Sequence, residues 1–299
     1  MKNILVVGSS NTDMVVKAAH LPRPGETILG GTFFMNPGGK GANQAVAGAR
    51  LGGQVTFICK TGNDIFGREA KQLFKAEGID TAYMFTDAAH PSGVALITVD
   101  DKAENCIVVA SGANAHLAPA DILATYKAIE KSDIILMQLE IPVDTVKYVA
   151  DAAQKLHKKV ILNPAPAQAL DRALLQSLYL ITPNETEAEM ISGIKITDDD
   201  SLLACARAIH NMGVQTVIIT LGAKGAFLYN DIFSEHIPSC KVDAVDTTAA
   251  GDVFNAALAV AISERNDWIE AIRFANKAAA ISVTRVGAQA SAPYRREII

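Results

Sequence analysis

The chain has 299 residues, 49% of them hydrophobic, which is enough to bury a sizeable core in one large α/β domain or two smaller ones. A formal net charge of −5 argues against a broad basic footprint for nucleic acid or anionic lipid and leaves a small molecule as the expected partner. Cys59, Cys106, Cys205 and Cys240 are scattered without C-x-x-C spacing, so neither a zinc cluster nor a disulfide framework is indicated and a reducing cytoplasm fits best. The chain opens Met1-Lys2, and the apolar run Ile4 to Val7 is too short for a signal-peptide core or a membrane span; it reads as a buried first strand. Similar short runs follow at Val55 to Ile58, Ile134 to Met137, Val160 to Leu162, Tyr179 to Ile181 and Val217 to Ile219. Helix-like stretches lie between and after them, at Lys40 to Leu51, Arg68 to Glu77, Val143 to His157, Asp200 to Met212 and Trp268 to Thr284. That alternation predicts βαβ units with helices on both faces of a mostly parallel sheet.

Two segments break the rhythm. Met14 to Phe34 carries Leu21-Pro22-Arg23-Pro24-Gly25 between β-prone pieces, and Gly93 to Ala110 reads as a hairpin turning near Asp100-Asp101. They form either a small extra sheet, suited to a lid or a dimer contact, or ordinary edge strands of the main sheet.

Chemistry concentrates in a few places. Asp246-Thr247-Thr248-Ala249-Ala250-Gly251-Asp252 precedes a helix expected near Val253, where small residues and unsatisfied first-turn amides would make an anion hole. Asp252 at its lip is either a general base or a helix N-cap. Asn36-Pro37-Gly38-Gly39-Lys40-Gly41-Ala42-Asn43 is a glycine-rich turn in which Lys40 and Asn43 could donate to hydroxyl oxygens. No G-x-x-x-x-G-K-[ST] occurs and no G-x-G-x-x-G follows the first strand, so the P-loop and dinucleotide readings lose their support. Thr182-Pro183-Asn184-Glu185-Thr186-Glu187 offers ligands for magnesium or phosphate, or merely begins a helix; Thr220-Leu221-Gly222-Ala223-Lys224-Gly225 is a nucleotide loop or a hairpin turn. In Asn11-Thr12-Asp13, Asp13 could grip a polyol or cap a turn.

Together with Gln138-Leu139-Glu140, Asn163 to Ala167 and Val283 to Gln289, these segments closely resemble the ribokinase or PfkB family of carbohydrate kinases, nearly end to end. The resemblance implies an αβα sandwich (1–13, 36–91 and 111–299) with a β-sheet lid (14–35 and 92–110) that pairs into a homodimer. It implies ATP-dependent phosphorylation of ribose at its 5-hydroxyl, the alternatives being deoxyribose, a nucleoside, fructose, a keto-deoxy sugar acid, or a non-catalytic sugar-binding module. Residue by residue, it assigns Asn11, Thr12, Asp13, Gly39, Lys40, Gly41, Ala42, Asn43 and Glu140 to the sugar, and Asp252 as base beside an anion hole of Ala249, Ala250 and Gly251. Asn184, Thr220 to Gly225, Gly251 and Asn276 would hold ATP; Asn184 and Glu187 would hold Mg2+ through water. Asp246, Thr248, Ser282, Arg285, Gly287 and Ser291 would hold K+, largely through backbone oxygens. The common family pattern D-T-x-G-A-G-D has glycine where this chain has Ala249, a change without consequence if that position does not require positive φ.

Overall fold

The computed structural model of the protein describes residues 3–102, 104–264 and 267–298. Met1, Lys2, Ala103, Arg265, Asn266 and Ile299, which the expected core and lid spans include, lie outside the described residues. In chain order the elements are β1 (Asn3–Val7), β2 (Asn11–Lys17), β3 (Thr32–Gly38), α1 (Lys40–Arg50), β4 (Gln54–Gly62), α2 (Ile65–Ala76), β5 (Met84–Asp87), β6 (Gly93–Val99) and β7 (Asn105–Ala110). There follow α3 (Pro119–Ala124), α4 (Tyr126–Lys131), β8 (Ile134–Met137), α5 (Val143–Lys155), β9 (Lys159–Leu162), α6 (Arg172–Gln176), β10 (Leu180–Ile181), α7 (Glu185–Ser192) and α8 (Asp199–Asn211). The chain closes with β11 (Thr216–Thr220), β12 (Ala226–Tyr229), β13 (Ser234–Ile237), α9 (Ala250–Glu264) and α10 (Trp268–Ser282).

Among the described residues the strands form two sheets. The larger runs β13-β12-β11-β10-β9-β8-β1-β4-β5, parallel from β5 to β11, with β12 and β13 added antiparallel at one edge. Its central strands are apolar on both faces because both are covered. In β1, Ile4 and Val6 join the cluster packed with α1, α9 and α10, while Leu5 and Val7 join the cluster packed with α5 and α8. The result is a three-layer αβα sandwich. α9 is buried from Asp252 to Ser263, α10 lying against it, so its apolar run needs no solvent face. Among the described residues no helix is long and apolar enough to cross a membrane, and the four cysteines are unbonded.

The second sheet, β3-β2-β6-β7, is built from the two segments that broke the helical rhythm. β2 pairs antiparallel with β3 and parallel with β6, and β6 makes the expected hairpin with β7. It reaches further than 14–35: β2 starts at Asn11 and β3 ends at Gly38, so residues expected in the core begin and end strands of this sheet. Alternation gives the sheet two faces. Asp13, Val15 and Ala95 lie on one. Val16, Phe33, Met35, Leu96 and Val108 lie on the other and are all exposed.

Candidate active site

The carboxyl ends of β1, β8, β9, β10 and β11 converge on one edge of the large sheet, and the second sheet meets this edge through β2. After β1, the backbone of Gly8 to Ser10 is met by the start of α1: the Ala42 amide donates to the Ser9 carbonyl and the Lys40 amide to Glu140 Oε2 at 3.0 Å. Ser9 Oγ donates to the same carboxylate oxygen at 2.5 Å. Gly39 takes φ 87° at the helix cap, and a Cβ there would lie 2.7 Å from the Asn11 nitrogen, so only glycine fits. A Cβ on Gly38 would fall 2.3 Å from Asp13 Oδ2, which explains why a bare backbone faces that carboxylate.

Asp13, Lys40, Asn43, Glu140 and Asp252 lie close together, Asn43 donating to Asp252 and the charges of Glu140 and Asp252 acting on both Asp13 and Lys40. Burial, then Glu140 and Asp252, push the Asp13 carboxyl up to about 6. Burial opposes charge on Lys40, but Asp252, Glu140 and Glu187 outweigh it and hold the ammonium above its usual range. Asn11 is buried and its Oδ1 accepts from Asn114 Nδ2 at 2.7 Å. Gly41 and Ala42 contribute buried backbone at the first turn of α1. Strand alternation puts Thr12 on the face opposite Asp13, where it lines a cavity of about 210 Å3 with Ser10, Asn11 and Phe66.

α9 begins at Ala250, three residues earlier than expected, because Ala249 accepts from the Val253 amide and already closes the first helical bond. First-turn amides of Ala250, Gly251 and Asp252 have no carbonyl of the helix four residues back, and they border a 230 Å3 cavity shared with Lys40, Asn184, Glu187 and Thr220. Ala249 has φ 60°, so the condition set on the alanine-for-glycine change fails: the position does require the left-handed region. Asp252 is not the N-cap. It is the third helical residue, 5% exposed, and its carboxylate accepts from Asn43 Nδ2 (2.9 Å, on Oδ2) and Gln44 Nε2 (2.9 Å, on Oδ1). Burial raises its carboxyl above the ordinary range against the opposing pull of Lys40 and these two amides. The sequence reading gave no individual role to Gln44, Asn163, Thr182 or Asn255, although Thr182 and Asn163 lie in segments it singled out. The neighbouring polar side chains Thr182 and Asn255 are linked, Thr182 Oγ1 to Asn255 Oδ1 at 2.5 Å and Asn255 Nδ2 to the Gly251 carbonyl at 2.8 Å.

Beyond the first turn of α9 a 480 Å3 cavity, mostly apolar, is lined by Thr220, Gly222, Ala223 and Gly225 on one side and Gly251, Phe254, Asn276 and Val283 on the other. The 220–225 segment is both a hairpin between β11 and β12, with Gly225 at φ 108°, and a wall of this cavity; Leu221 turns inward and Lys224 lies outside it. Asn276 Nδ2 is held by the Ile237 and Pro238 carbonyls. Asn184 and Glu187 do begin a helix, as a capping box: Glu187 Oε2 accepts from the Asn184 amide (2.9 Å) and Asn184 Oδ1 from the Glu187 amide (2.8 Å). Both also line the 230 Å3 cavity. Asp246 ties two loops together, Oδ1 accepting from Thr248 and Oδ2 from Gly287, while the Val245 and Asp246 amides donate to the Val283 carbonyl. Ser282 and Ser291 are buried nearby in sequence, their hydroxyls donating to Ala279 and Ala288 carbonyls; the Arg285 guanidinium is turned away onto Glu297.

First-turn amides of a buried helix, set between a cluster of carboxylates and an apolar cavity on the carboxyl edge of an αβα sandwich, are a layout suited to a small-molecule kinase. The pfkB family carbohydrate kinase model matches residues 1–295. A ribokinase of Haemophilus influenzae is 47% identical over all of this chain and 97% of that protein, and a deoxyribokinase of Salmonella typhi is 36% identical over 97% and 95%. The solved structure of an Arabidopsis thaliana ribokinase complexed with ribose and ATP superposes with a TM-score of 0.93 at 32% identity, covering 99% of this chain and 97% of the other. The chain belongs to the pfkB family of carbohydrate kinases, ATP-dependent enzymes that phosphorylate sugars.

Proposed function

We propose that the chain transfers the γ-phosphoryl group of ATP to the 5-hydroxyl of D-ribose. The observation that carries the reading is Asp252, a buried carboxylate fixed by two side-chain amides in the first turn of α9, where the Ala250 amide donates to the Thr247 carbonyl and the Gly251 and Asp252 amides have no helical acceptor. Asp13, Lys40, Asn43 and Glu140 bind the sugar hydroxyls, with the backbone of Gly39 and Gly41 letting α1 approach. The acceptor hydroxyl gives its proton to Asp252 as it attacks. The amides of Ala249 to Asp252 and Lys40 meet the charge spread over the transferring phosphoryl oxygens. The adenine side of ATP lies in the 480 Å3 cavity, against the 220–225 hairpin and Asn276. Ribose is placed above deoxyribose because the ribokinase relative is the more similar of the two.

Asn184 and Glu187 fit a magnesium ion held through water rather than directly, since one oxygen of each is already engaged in the capping box; bound there, the ion neutralises phosphate charge. The two loops stitched by Asp246 fit a potassium ion held by oxygens of Asp246, Thr248, Ser282, Arg285, Gly287 and Ser291. Both Asp246 oxygens already accept amides and the Arg285 side chain is elsewhere, so backbone carbonyls supply most of that shell. An ion held there would stiffen the segment that presents the first-turn amides of α9. The second sheet acts as a lid over the sugar, and its exposed apolar face pairs with a second copy.

The test is release of ADP with ribose, deoxyribose, fructose and adenosine, in potassium and in a large organic cation, for the wild type and Asp252→Asn. Ribose should give the highest kcat/KM, potassium should raise turnover, and Asp252→Asn should fold, bind sugar and lose about 10²-fold in kcat. Near-normal turnover in folded Asp252→Asn sinks the mechanism; a better acceptor than ribose sinks the substrate.

A further inference from the structure

Asp252 is backed by a chain of buried amides, of which only Asn163 reaches the 230 Å3 cavity and none takes a chemical step in the reaction as described. Gln44 on α1 and Gln138 at the end of β8 are both 0% exposed. Gln138 Nε2 donates to Gln44 Oε1. Gln44 Nε2 donates to Asp252 Oδ1 at 2.9 Å and to Asn163 Oδ1 at 3.1 Å. Every polar atom of the Gln44 amide is therefore engaged, and its orientation is determined by its neighbours. Turned over, its oxygen would face two acceptors, the Asp252 carboxylate and the Asn163 carbonyl, while its nitrogen would face the Gln138 donor. The Asp252 carboxylate, which can only accept, sets which way round Gln44 sits, and Gln138 Nε2 holds the oxygen that this orientation presents, while Gln138 Oε1 has no hydrogen-bond partner. The Gln138 amide is confined by Gly8, where a Cβ would lie 2.1 Å from Gln138 Oε1.

The two donors on Asp252 differ in kind. Neither side chain lines the two cavities, but Asn43 keeps 7% of its surface exposed in the glycine-rich turn proposed to hold the sugar, whereas Gln44 is wholly buried. We propose that Gln44 and Gln138 form a positioning relay for catalysis: Gln44 fixes the rotation of the Asp252 carboxylate toward the acceptor hydroxyl, and Gln138 fixes Gln44. The proposal rests on Asp252 being the base. Its chemical effect follows from the charges around that carboxylate. Asp13 on β2, Glu140 after β8 and Glu187 on α7 all disfavour a negative charge there, as burial does, and Lys40 on α1 favours it. An N–H donor stabilises the ionised form over the protonated one, so Gln44 holds Asp252 ready to accept a proton.

The experiment compares wild type, Gln44→Met, Gln138→Met, Asp252→Asn and Gln44→Met/Asp252→Asn by kcat against pH, calorimetric binding of ribose and thermal melting. Methionine keeps the length of glutamine without its donors. Gln44→Met should lose roughly tenfold in kcat, keep ribose affinity within about threefold, and move the acid limb of kcat to higher pH. Gln138→Met should move both in the same direction by less. In the Asp252→Asn background Gln44→Met should cost nothing further, because its effect passes through the missing carboxylate. An unmoved acid limb with kcat near wild type in folded Gln44→Met overturns the relay, as does a loss that appears in KM alone or adds fully to Asp252→Asn. Should Gln44→Met fail to fold, Gln138→Met decides by the same two readouts. An active Asp252→Asn enzyme would instead remove the base itself, an outcome distinct from failure of the relay.

Discussion

Two side chains show how local geometry sets measurable energies. Ala249 holds φ 60°, where a Cβ crowds the following carbonyl at a cost of about 1 kcal/mol. Ala249→Gly removes that strain and adds chain entropy to the unfolded state, so a net gain of about 0.5 kcal/mol is expected, read by chemical unfolding with kcat within twofold. Equal or lower stability would show that the turn is not strained. Asp13 titrates near 3.8 in the unfolded chain and about 6 in the fold. Between those values the native state binds more protons, so stability falls as pH rises through this window and the whole penalty is present at pH 7. Asp13→Asn should therefore raise stability at pH 7.5 by about 1–2 kcal/mol, lose that advantage near pH 4, and weaken sugar binding. A melting difference independent of pH would contradict this origin. Neither effect was legible in sequence: alanine at 249 looked innocuous until its φ was known, and the carboxylates around Asp13 come from β2, the end of β8 and α9.

At the scale of elements, α1 organises the site at its first turn and anchors the C-terminal segment at its last. Arg50 pairs with Glu77 through Nε (3.0 Å) and Nη2 (2.6 Å), and its Nη1 donates to the Gln289 and Ala292 carbonyls at 2.7 and 3.0 Å. Arg50→Met would leave Glu77 and two carbonyls without their donor in a largely buried place, a loss of about 2–4 kcal/mol in urea unfolding. A loss under about 1 kcal/mol would mean that water replaces the guanidinium freely. Elements defined by their own periodicity were legible: β8 lies at Ile134–Met137 as its apolar run indicates, and α5 starts at Val143. Elements defined by distant partners were not. β5 is a four-residue strand completed by pairing with β4, β13 reads Ser-Glu-His-Ile and exists because β12 supplies its partner, and the short α3, α4 and α6 gain their stability from packing. The glycine-rich and TTAAGD segments pointed to the site because their chemistry is local. Gln44 and Asn255 sat unnoticed beside them, since ordinary helical glutamine and asparagine gain meaning only across layers.

Across the whole molecule, the second sheet joins the Asp13 carboxylate cluster to the outer surface. Leu96 lies between Met14 and Val108 in register, in the middle of the exposed apolar face. If that face pairs two copies, Leu96→Glu should turn a dimer into a monomer by light scattering, with kcat/KM for sugar lowered and the core's melting little changed. A wild-type monomer, or a variant that remains dimeric, would rule the pairing out. One edge of this sheet carries a liability of its own. β7 reads Asn105-Cys106-Ile107-Val108-Val109-Ala110, every residue exposed, with neither a charge nor a proline along it and nothing hydrogen-bonded to its outer side among the described strands. A bare strand of this composition templates further strands, so keeping the protein in solution should become harder as it is concentrated, warmed or stripped of whatever shields that edge. A single lysine at Val109 would be the first change to make for long storage.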